Sequence, residues 1–197
     1  MAFTAVYDAN VLHPASLRDL LIRLAASGLF RAKWTDEILD EAFESVLRAN
    51  PELDPERLNR TRAKMIKAVP DCLVTGYEPL VDAIKLPDDD DRHVVAAAVR
   101  CHAGVIVTSN LRDFPADALE PFNIEAQSLD VFVLHLLGFA RDEVIRAITK
   151  QAAALSQPPM TFDELLDRLN EVGLSRSVAA IRDRSPTAGW VQHIPEF

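Results

Sequence analysis

Two short apolar runs along the chain have the pattern of buried β-strands. Residues 3–7 (FTAVY) stop at Asp8, and residues 105–108 (VIVT) follow Gly104 and lead into the polar segment SNLRDFP. Short apolar runs that are bounded by turn residues are typical of strands in the middle of a parallel sheet. Each predicted strand therefore ends on polar residues, and the carboxyl ends of such strands are where α/β folds place their chemistry.

Helical periodicity fills the sequence between these strands. Three amphipathic helices are predicted, from Leu17 to near Gly28, from Asp36 to just before Asn50, and over residues 55–68. Residues 71–86 contain the strand-like pieces CLVT and LVDAI, which Gly76 and Pro79 interrupt. A further buried helix containing VVAAAV is predicted to open around Asp90 or Asp91, because aspartate is favoured at helix N-termini.

The apolar pattern is purely helical from Ser128 onward. Two prolines, at 158 and 159, interrupt this pattern, and Thr161 and Glu164 then form a T-x-x-E capping box ahead of another helix. A last short helix is predicted over residues 175–183, followed by a tail over residues 186–197. The C-terminal third is thus expected to be a helical extension.

The order of elements predicts an α/β fold with a mostly parallel core sheet. We expect this domain to cover residues 1–127 and the helical extension with its tail to cover residues 128–197. The chain is 49% hydrophobic and 26% charged, which is typical of a globular protein. The sequence contains no apolar run long enough for a membrane span and no signal-peptide pattern at its start, so the cytoplasm is the expected compartment.

Net charge narrows the possible modes of nucleic-acid binding. The formal net charge is −9, and contacts between basic side chains and phosphates supply most non-specific affinity for nucleic acids. The charge therefore argues against a surface that grips nucleic acid along its whole length. Contacts with nucleic acid would be local or bridged by cations.

Four carboxylates that are far apart in sequence stand at the ends or on the faces of predicted elements. They are Asp8 after the first strand, Glu41 on the second helix, Asp91 at the start of a helix, and Asp113 after the second strand. Mg²⁺ and Mn²⁺ prefer such oxygen ligands. Each residue also has a simpler interpretation, since Asp8 could cap a turn, Glu41 could be solvated, and the run from Asp88 to Asp91 could serve only as a helix cap.

Taken together, these segments resemble a known family. The stretches VYDANVL, TDEILDE, DDRHVVAAA and VTSNLRDFP, in this order and spacing, resemble the four acidic segments of the PIN-domain ribonucleases, which include the VapC-type toxins of bacterial toxin–antitoxin pairs. The resemblance covers about residues 4–125, and the extension is similar to the helical tail of one PIN subgroup. It implies a PIN-like three-layer sandwich with a central, mostly parallel sheet.

The resemblance assigns roles to particular residues of the first three segments. Asp8 matches the first metal ligand, and Asn10 matches its polar companion. Glu41 matches the helical glutamate of the family, and Asp91 matches the acidic residue before the Arg-His pair. Among the neighbours of Asp91, Asp88 is the expected capping residue.

The last segment departs from the pattern of the family. Asn110 stands where many relatives have aspartate, and Asp113 follows three residues later. Because Asn110 would be a neutral oxygen ligand, the resemblance leaves open whether one or two ions bind. Thr108 could bond to phosphate or to a ligand, and Arg92 could contact phosphate. His93, on an apolar helix, is more often a hydrogen-bonded structural residue than a substrate contact.

The resemblance implies a Mg²⁺- or Mn²⁺-dependent endoribonuclease with RNA as substrate, a cognate antitoxin as partner, and a homodimer. One alternative is a PIN-like protein-binding module that is catalytically weak or inactive, which Asn110 keeps open. Another is a phosphatase with Asp8 as nucleophile, although its motif needs a second aspartate where the chain has Asn10.

Overall fold

The structure is a computed structural model that describes residues 2–183, and its contacts divide the chain into two compact units, Met1–Leu129 and Asp130–Phe197. The first unit contains four strands: β1 (Thr4–Tyr7), β2 (Arg31–Lys33), β3 (Val105–Val107) and β4 (Glu125–Gln127). Its α-helices are α1 (Ala9–Leu12), α2 (Ala15–Ala26), α3 (Asp36–Ala49), α4 (Pro55–Ala68), α5 (Glu78–Val81), α6 (Arg92–Arg100) and α7 (Ala116–Leu119). Short 3₁₀ helices span Asp89–Asp91 and Glu120–Phe122.

The four strands form one parallel sheet in the order β2-β1-β3-β4. In β1, the successive residues Ala5, Val6 and Tyr7 are all completely buried. Because successive side chains of a strand point to opposite faces of the sheet, both faces must be covered. The prediction of an α/β fold with a parallel core sheet is confirmed, and helices such as α6, which contacts β1 and β3, provide the cover.

The strand predictions were correct for the centre of the sheet only. The predicted strands at residues 3–7 and 105–108 correspond to β1 and β3, whereas β2 and β4 were not predicted. The strand-like pieces within residues 71–86 form no strand of the sheet: Leu73 makes an isolated bridge to Trp34, and LVDAI begins inside the short helix α5. Pro79 lies in the first turn of α5, a position that suits a residue without an N–H group.

The predicted helices of the first unit are confirmed, and their caps explain their bounds. The Thr35 side chain accepts a hydrogen bond from the Ile38 N–H at 3.0 Å, so α3 begins at Asp36 as predicted. Asp54 caps α4 in the same way through the Glu56 N–H. A cap of this kind stabilises a helix by about 1 kcal/mol.

The second unit contains three helices in its described part. It contains α8 (Leu129–Ala154), which begins at the last residue of the first unit and is kinked at Ala140, followed by α9 (Phe162–Glu171) and α10 (Ser175–Arg182). The predicted capping box of α9 is present. Within the described residues, no helix is both long enough and apolar enough to cross a membrane. The predicted tail lies outside the described residues, and the domain boundary at residue 127 stays a prediction.

Both ends of α10 are bonded by side chains of α8. The Asp130 carboxylate accepts hydrogen bonds from the N–H groups of Arg176 (3.0 Å) and Ser177 (2.8 Å). At the other end, the Arg141 guanidinium donates to the carbonyls of Ala180, Ile181 and Asp183, each at 3.0 Å. These bonds satisfy part of the unpaired backbone groups that every helix leaves at its termini.

Candidate metal centre

The carboxyl ends of β1 and β3 lie side by side because the two strands are parallel neighbours. Asp8 follows β1, and its N–H donates to the Val107 carbonyl at 3.0 Å. Thr108 follows β3, and its N–H donates to the Gln127 carbonyl at 3.0 Å. The backbone hydrogen bonds of the sheet therefore fix the positions of Asp8 and Thr108 at its edge.

The Asp8 carboxylate is nearly buried, at 4% exposure, and is held by three donors. The Ala9 N–H donates to Oδ1 at 2.6 Å, while the Thr108 hydroxyl (2.6 Å) and the Asn10 amide (2.5 Å) donate to Oδ2. Asn10 is itself fixed, since its Oδ1 accepts from the Ser109 N–H at 2.8 Å. Burial raises the pKa of Asp8, and the hydrogen bonds from Thr108 and Ala9 oppose this shift.

Three further carboxylates lie close together at the start of α6. Asp88, Asp91 and Asp113 each offer an oxygen, and these three oxygens lie within 4.8 Å of one another. Burial, followed by the charges of Asp8, Asp113 and Asp88, raises the pKa of Asp91 to about 6. Like charges at this separation repel unless a proton or a cation neutralises them. An all-oxygen donor set with excess negative charge fits a hard divalent cation such as Mg²⁺ or Mn²⁺.

Asn110 holds one member of this group in place. Its side-chain amide donates a hydrogen bond to the Asp113 carboxylate, and its backbone N–H donates to Thr108 Oγ1 at 3.0 Å. Thr108 thus connects the Asp8 carboxylate with the loop that carries Asp113. In this arrangement Asn110 is a donor that orients Asp113, a different role from the oxygen ligand that the sequence suggested.

Glu41 lies next to His93 and is coupled by charge to Asp8. His93 Nε2 is 3.0 Å from Glu41 Oε1, and Nδ1 is 3.6 Å from Glu37 Oε2. Burial lowers the pKa of His93, but the Glu41 carboxylate, together with the charges of Glu37 and Asp8, outweighs burial and raises it overall. His93 Nε2 lies within hydrogen-bonding distance of Glu41, although among the described residues the N–H of neither ring nitrogen is well directed at an acceptor.

The structure brings most of the predicted site residues together. Asp91 is coupled by charge to both Asp8 and Asp113, and the charge of Glu41 raises the pKa of Asp8. Arg92 does not stand free, because its Nε donates to the Asp89 carbonyl at 3.0 Å and lies 3.5 Å from the Asp89 carboxylate.

The sequence analysis missed two members of these groups. Asp88 was expected to cap, and it does accept from the Asp90 N–H at 3.0 Å, but it also belongs to the group with Asp91 and Asp113. Glu37 was not singled out. Its spacing of four residues from Glu41 places both carboxylates on one face of α3, which was the available signal.

Comparison with known proteins gives three results. A family model described as PIN domain matches residues 4–112, and a model described as VapC50 C-terminal domain matches residues 129–183. Over 96 residues, or 49% of the chain, the sequence is 44% identical to a Mycobacterium tuberculosis (strain H37Rv) protein provisionally named ribonuclease VapC50. The aligned part covers 56% of that relative, so the chain spans little more than half of its length. No solved structure matches the chain.

Proposed function

The chain belongs to the PIN-domain family, and on this basis we propose that it is a metal-dependent endoribonuclease, the toxin of a toxin–antitoxin pair. The proposal is carried by the group of carboxylates around Asp91, whose pKa is raised to about 6 by burial and by three neighbouring aspartates. The M. tuberculosis relative is provisionally named a ribonuclease. Because the chain belongs to the PIN-domain family, we do not propose the phosphatase alternative.

Asp8, Asp91 and Asp113 would hold a Mg²⁺ or Mn²⁺ ion, with Asp88 beside them. When bound, such a cation supplies positive charge to the scissile phosphate and lowers the pKa of a water molecule. Thr108 and Asn10 keep the Asp8 carboxylate in one orientation, and fixed ligands of this kind cost little reorganisation when the cation binds.

We propose that Glu41 acts on the attacking water. It is exposed to solvent, and it is close enough to Asp8 for its charge to raise the pKa of that residue. A carboxylate at such a position can orient a water molecule and accept its proton. Asp8 is unsuited to this role because its two carboxylate oxygens already accept three hydrogen bonds, from Ala9, Asn10 and Thr108.

A cleavage assay on RNA with Mg²⁺ or Mn²⁺, repeated with EDTA, tests the activity. Asp91→Asn should lower cleavage by about 100-fold or more, because a ligand charge is lost. Asp90→Asn is the matched control: Asp90 is one residue away, exposed, and outside the carboxylate group, so it should cut at the wild-type rate.

Two results would contradict the proposal. Full activity of Asp91→Asn would remove Asp91 from the site. Absence of RNA cleavage by the wild-type protein, with no Mn²⁺ binding that depends on Asp91, would favour the PIN-like binding module instead.

The proposed partners follow from the same reasoning. An unrestrained ribonuclease would harm its own cell, so we expect an antitoxin that inserts a basic side chain among these carboxylates. A homodimer in the cytoplasm is the proposed form. Co-expression with the product of a neighbouring small reading frame should suppress cleavage, and sedimentation analysis measures the oligomeric state.

A further inference from the structure

We propose that Glu37, Glu41 and His93 form a second cation site, which takes a first-row transition-metal ion such as Mn²⁺ or Zn²⁺. Each of the three residues offers a ligand atom, and these atoms lie within 4.8 Å of one another. The group contains a nitrogen donor, unlike the all-oxygen group of Asp88, Asp91 and Asp113. The proposal goes beyond the proposed function, because cation binding here does not require nuclease activity. The two share Glu41, and a cation bound here would occupy the carboxylate that the proposed function assigns to the attacking water.

The histidine is the observation that distinguishes this group from an ordinary acidic patch. His93 is only 5% exposed, and its two ring nitrogens face the two glutamates. Neither nitrogen has a hydrogen-bond partner within residues 2–183. A buried polar atom without a well-directed hydrogen bond is unfavourable. A bond from one ring nitrogen to a metal ion would satisfy that atom.

The distance between His93 and Glu41 fits two ligands of one ion. Bonds from a metal to imidazole nitrogen and to carboxylate oxygen are about 2.0–2.2 Å long, which places neighbouring ligand atoms about 2.9–3.5 Å apart. His93 Nε2 and Glu41 Oε1 are separated by 3.0 Å, although the N–H is not directed at that oxygen. Glu37 Oε2 is 3.6 Å from the other ring nitrogen and belongs to the same group of ligand atoms.

The helices hold the three side chains together without a cation. Glu37 and Glu41 are four residues apart and share one face of α3, while His93 lies in the first turn of α6. The Tyr77 hydroxyl donates to Glu37 Oε2 at 2.7 Å. Ligating carboxylates commonly receive such a supporting hydrogen bond, which fixes their orientation. Tyr77 thus acts as a positioning residue for Glu37.

The donor set selects the class of cation. Imidazole nitrogen suits Zn²⁺ and other transition metals, whereas Mg²⁺ is bound through oxygen ligands. Two carboxylates with a neutral imidazole carry the charge that balances a divalent ion. The competing explanation is that His93 is protonated and simply forms ion pairs with Glu37 and Glu41.

Calorimetric titration of the full chain with ZnCl₂ tests the site. His93→Gln and Glu37→Gln should each lower Zn²⁺ affinity by more than tenfold, since each removes a ligand. Tyr77→Phe should lower it by about tenfold, because it removes only the supporting hydrogen bond. Glu44→Gln, an exposed glutamate of the same helix, should bind Zn²⁺ as the wild type does.

A second test needs no variant, and so does not depend on whether a variant folds: the ¹⁵N NMR signals of the His93 ring are measured in the wild-type protein. Zn²⁺ should move the signal of one His93 ring nitrogen to the position of a metal-bound, unprotonated nitrogen. If both ring nitrogens stay protonated at saturating Zn²⁺, or if His93→Gln and Glu37→Gln bind as tightly as the wild type, the site is an ion pair and the proposal fails.

This failure is distinguishable from that of the nuclease proposal. Mg²⁺-dependent RNA cleavage that depends on Asp91, with His93 unaffected by Zn²⁺, would overturn the second site alone. A shifted His93 signal in a protein that cuts no RNA would support the second site and overturn the nuclease.

Discussion

Asp91 and Asp130 are both partly buried aspartates at the start of a helix, but their surroundings are opposite. Asp130 faces donors: its carboxylate accepts hydrogen bonds from the Arg176 and Ser177 N–H groups and from the Ser177 hydroxyl, at 2.6–3.0 Å. Asp91 has no such cap bond, and its burial and the charges of three other aspartates raise its pKa. A carboxylate that is surrounded by hydrogen-bond donors stabilises the fold, whereas a carboxylate that is surrounded by other carboxylates is suited to binding a cation.

The largest effect that should separate the two aspartates is stabilisation by Mg²⁺. At about a hundred times its dissociation constant, a bound ligand raises the free energy of unfolding by about 2.7 kcal/mol. We expect this gain in the wild type and in Asp130→Ala, but not in Asp91→Asn. Urea unfolding with and without Mg²⁺ measures it. An equal gain in Asp91→Asn would show that Asp91 is no ligand.

The next effect concerns the metal-free fold. Asp130→Ala should lower the free energy of unfolding by about 1–2 kcal/mol, because the first N–H groups of α10 lose their acceptor. Leu174, at the N-cap of α10, provides no side-chain bond to replace it. Asp142→Ala serves as control. Asp142 is an exposed aspartate of α8, the helix that also carries Asp130, and its replacement should change stability by less than about 0.5 kcal/mol. Equal effects of the two variants would mean that Asp130 is no cap.

The smallest effect is the pH dependence of stability in EDTA. The pKa of Asp91 is raised from 3.8 to about 6 in the folded protein, so the folded state holds this proton more tightly than the unfolded state. The resulting stability is present below about pH 4 and is lost as the pH rises through about 6. Because Asp91 is partly exposed, its share is only about 1 kcal/mol.

Asp91→Asn tests this share directly. The fall in unfolding free energy between pH 5 and pH 7 should become shallower in the variant. It should not vanish, since the raised pKa of His93 acts in the same direction. Urea unfolding at several pH values gives the slope. An unchanged slope in the variant would contradict the raised pKa of Asp91.

Within the sheet, the sequence identified the central strands and missed the edge strands. The central strands β1 and β3 are apolar because they are covered on both faces. The edge strands have little apolar signal: Arg31 and Lys33 flank the single buried Ala32 in β2, and β4 reads Glu-Ala-Gln. Charged residues are common on edge strands, where they discourage pairing with other chains.

Helix bounds followed closely from local signals in both units. The cap residue Thr35 and the pair Thr161 and Glu164 act within one turn of chain, so their effect can be read from the sequence. The cap of α10 could not be predicted, because its acceptor, Asp130, lies 46 residues before Arg176.

The sequence by itself determined the parallel α/β fold, its central strands and helices, and the family to which the acidic segments belong. It also pointed to Asp8, Asp91, Asp113 and Glu41 as a set. Tertiary structure alone decided how these residues are grouped: Asp88 joins Asp91 and Asp113, and Glu41 instead lies with Glu37 and His93. The reason is that helix and strand signals are local, whereas a charge acts on whichever group the fold brings near it.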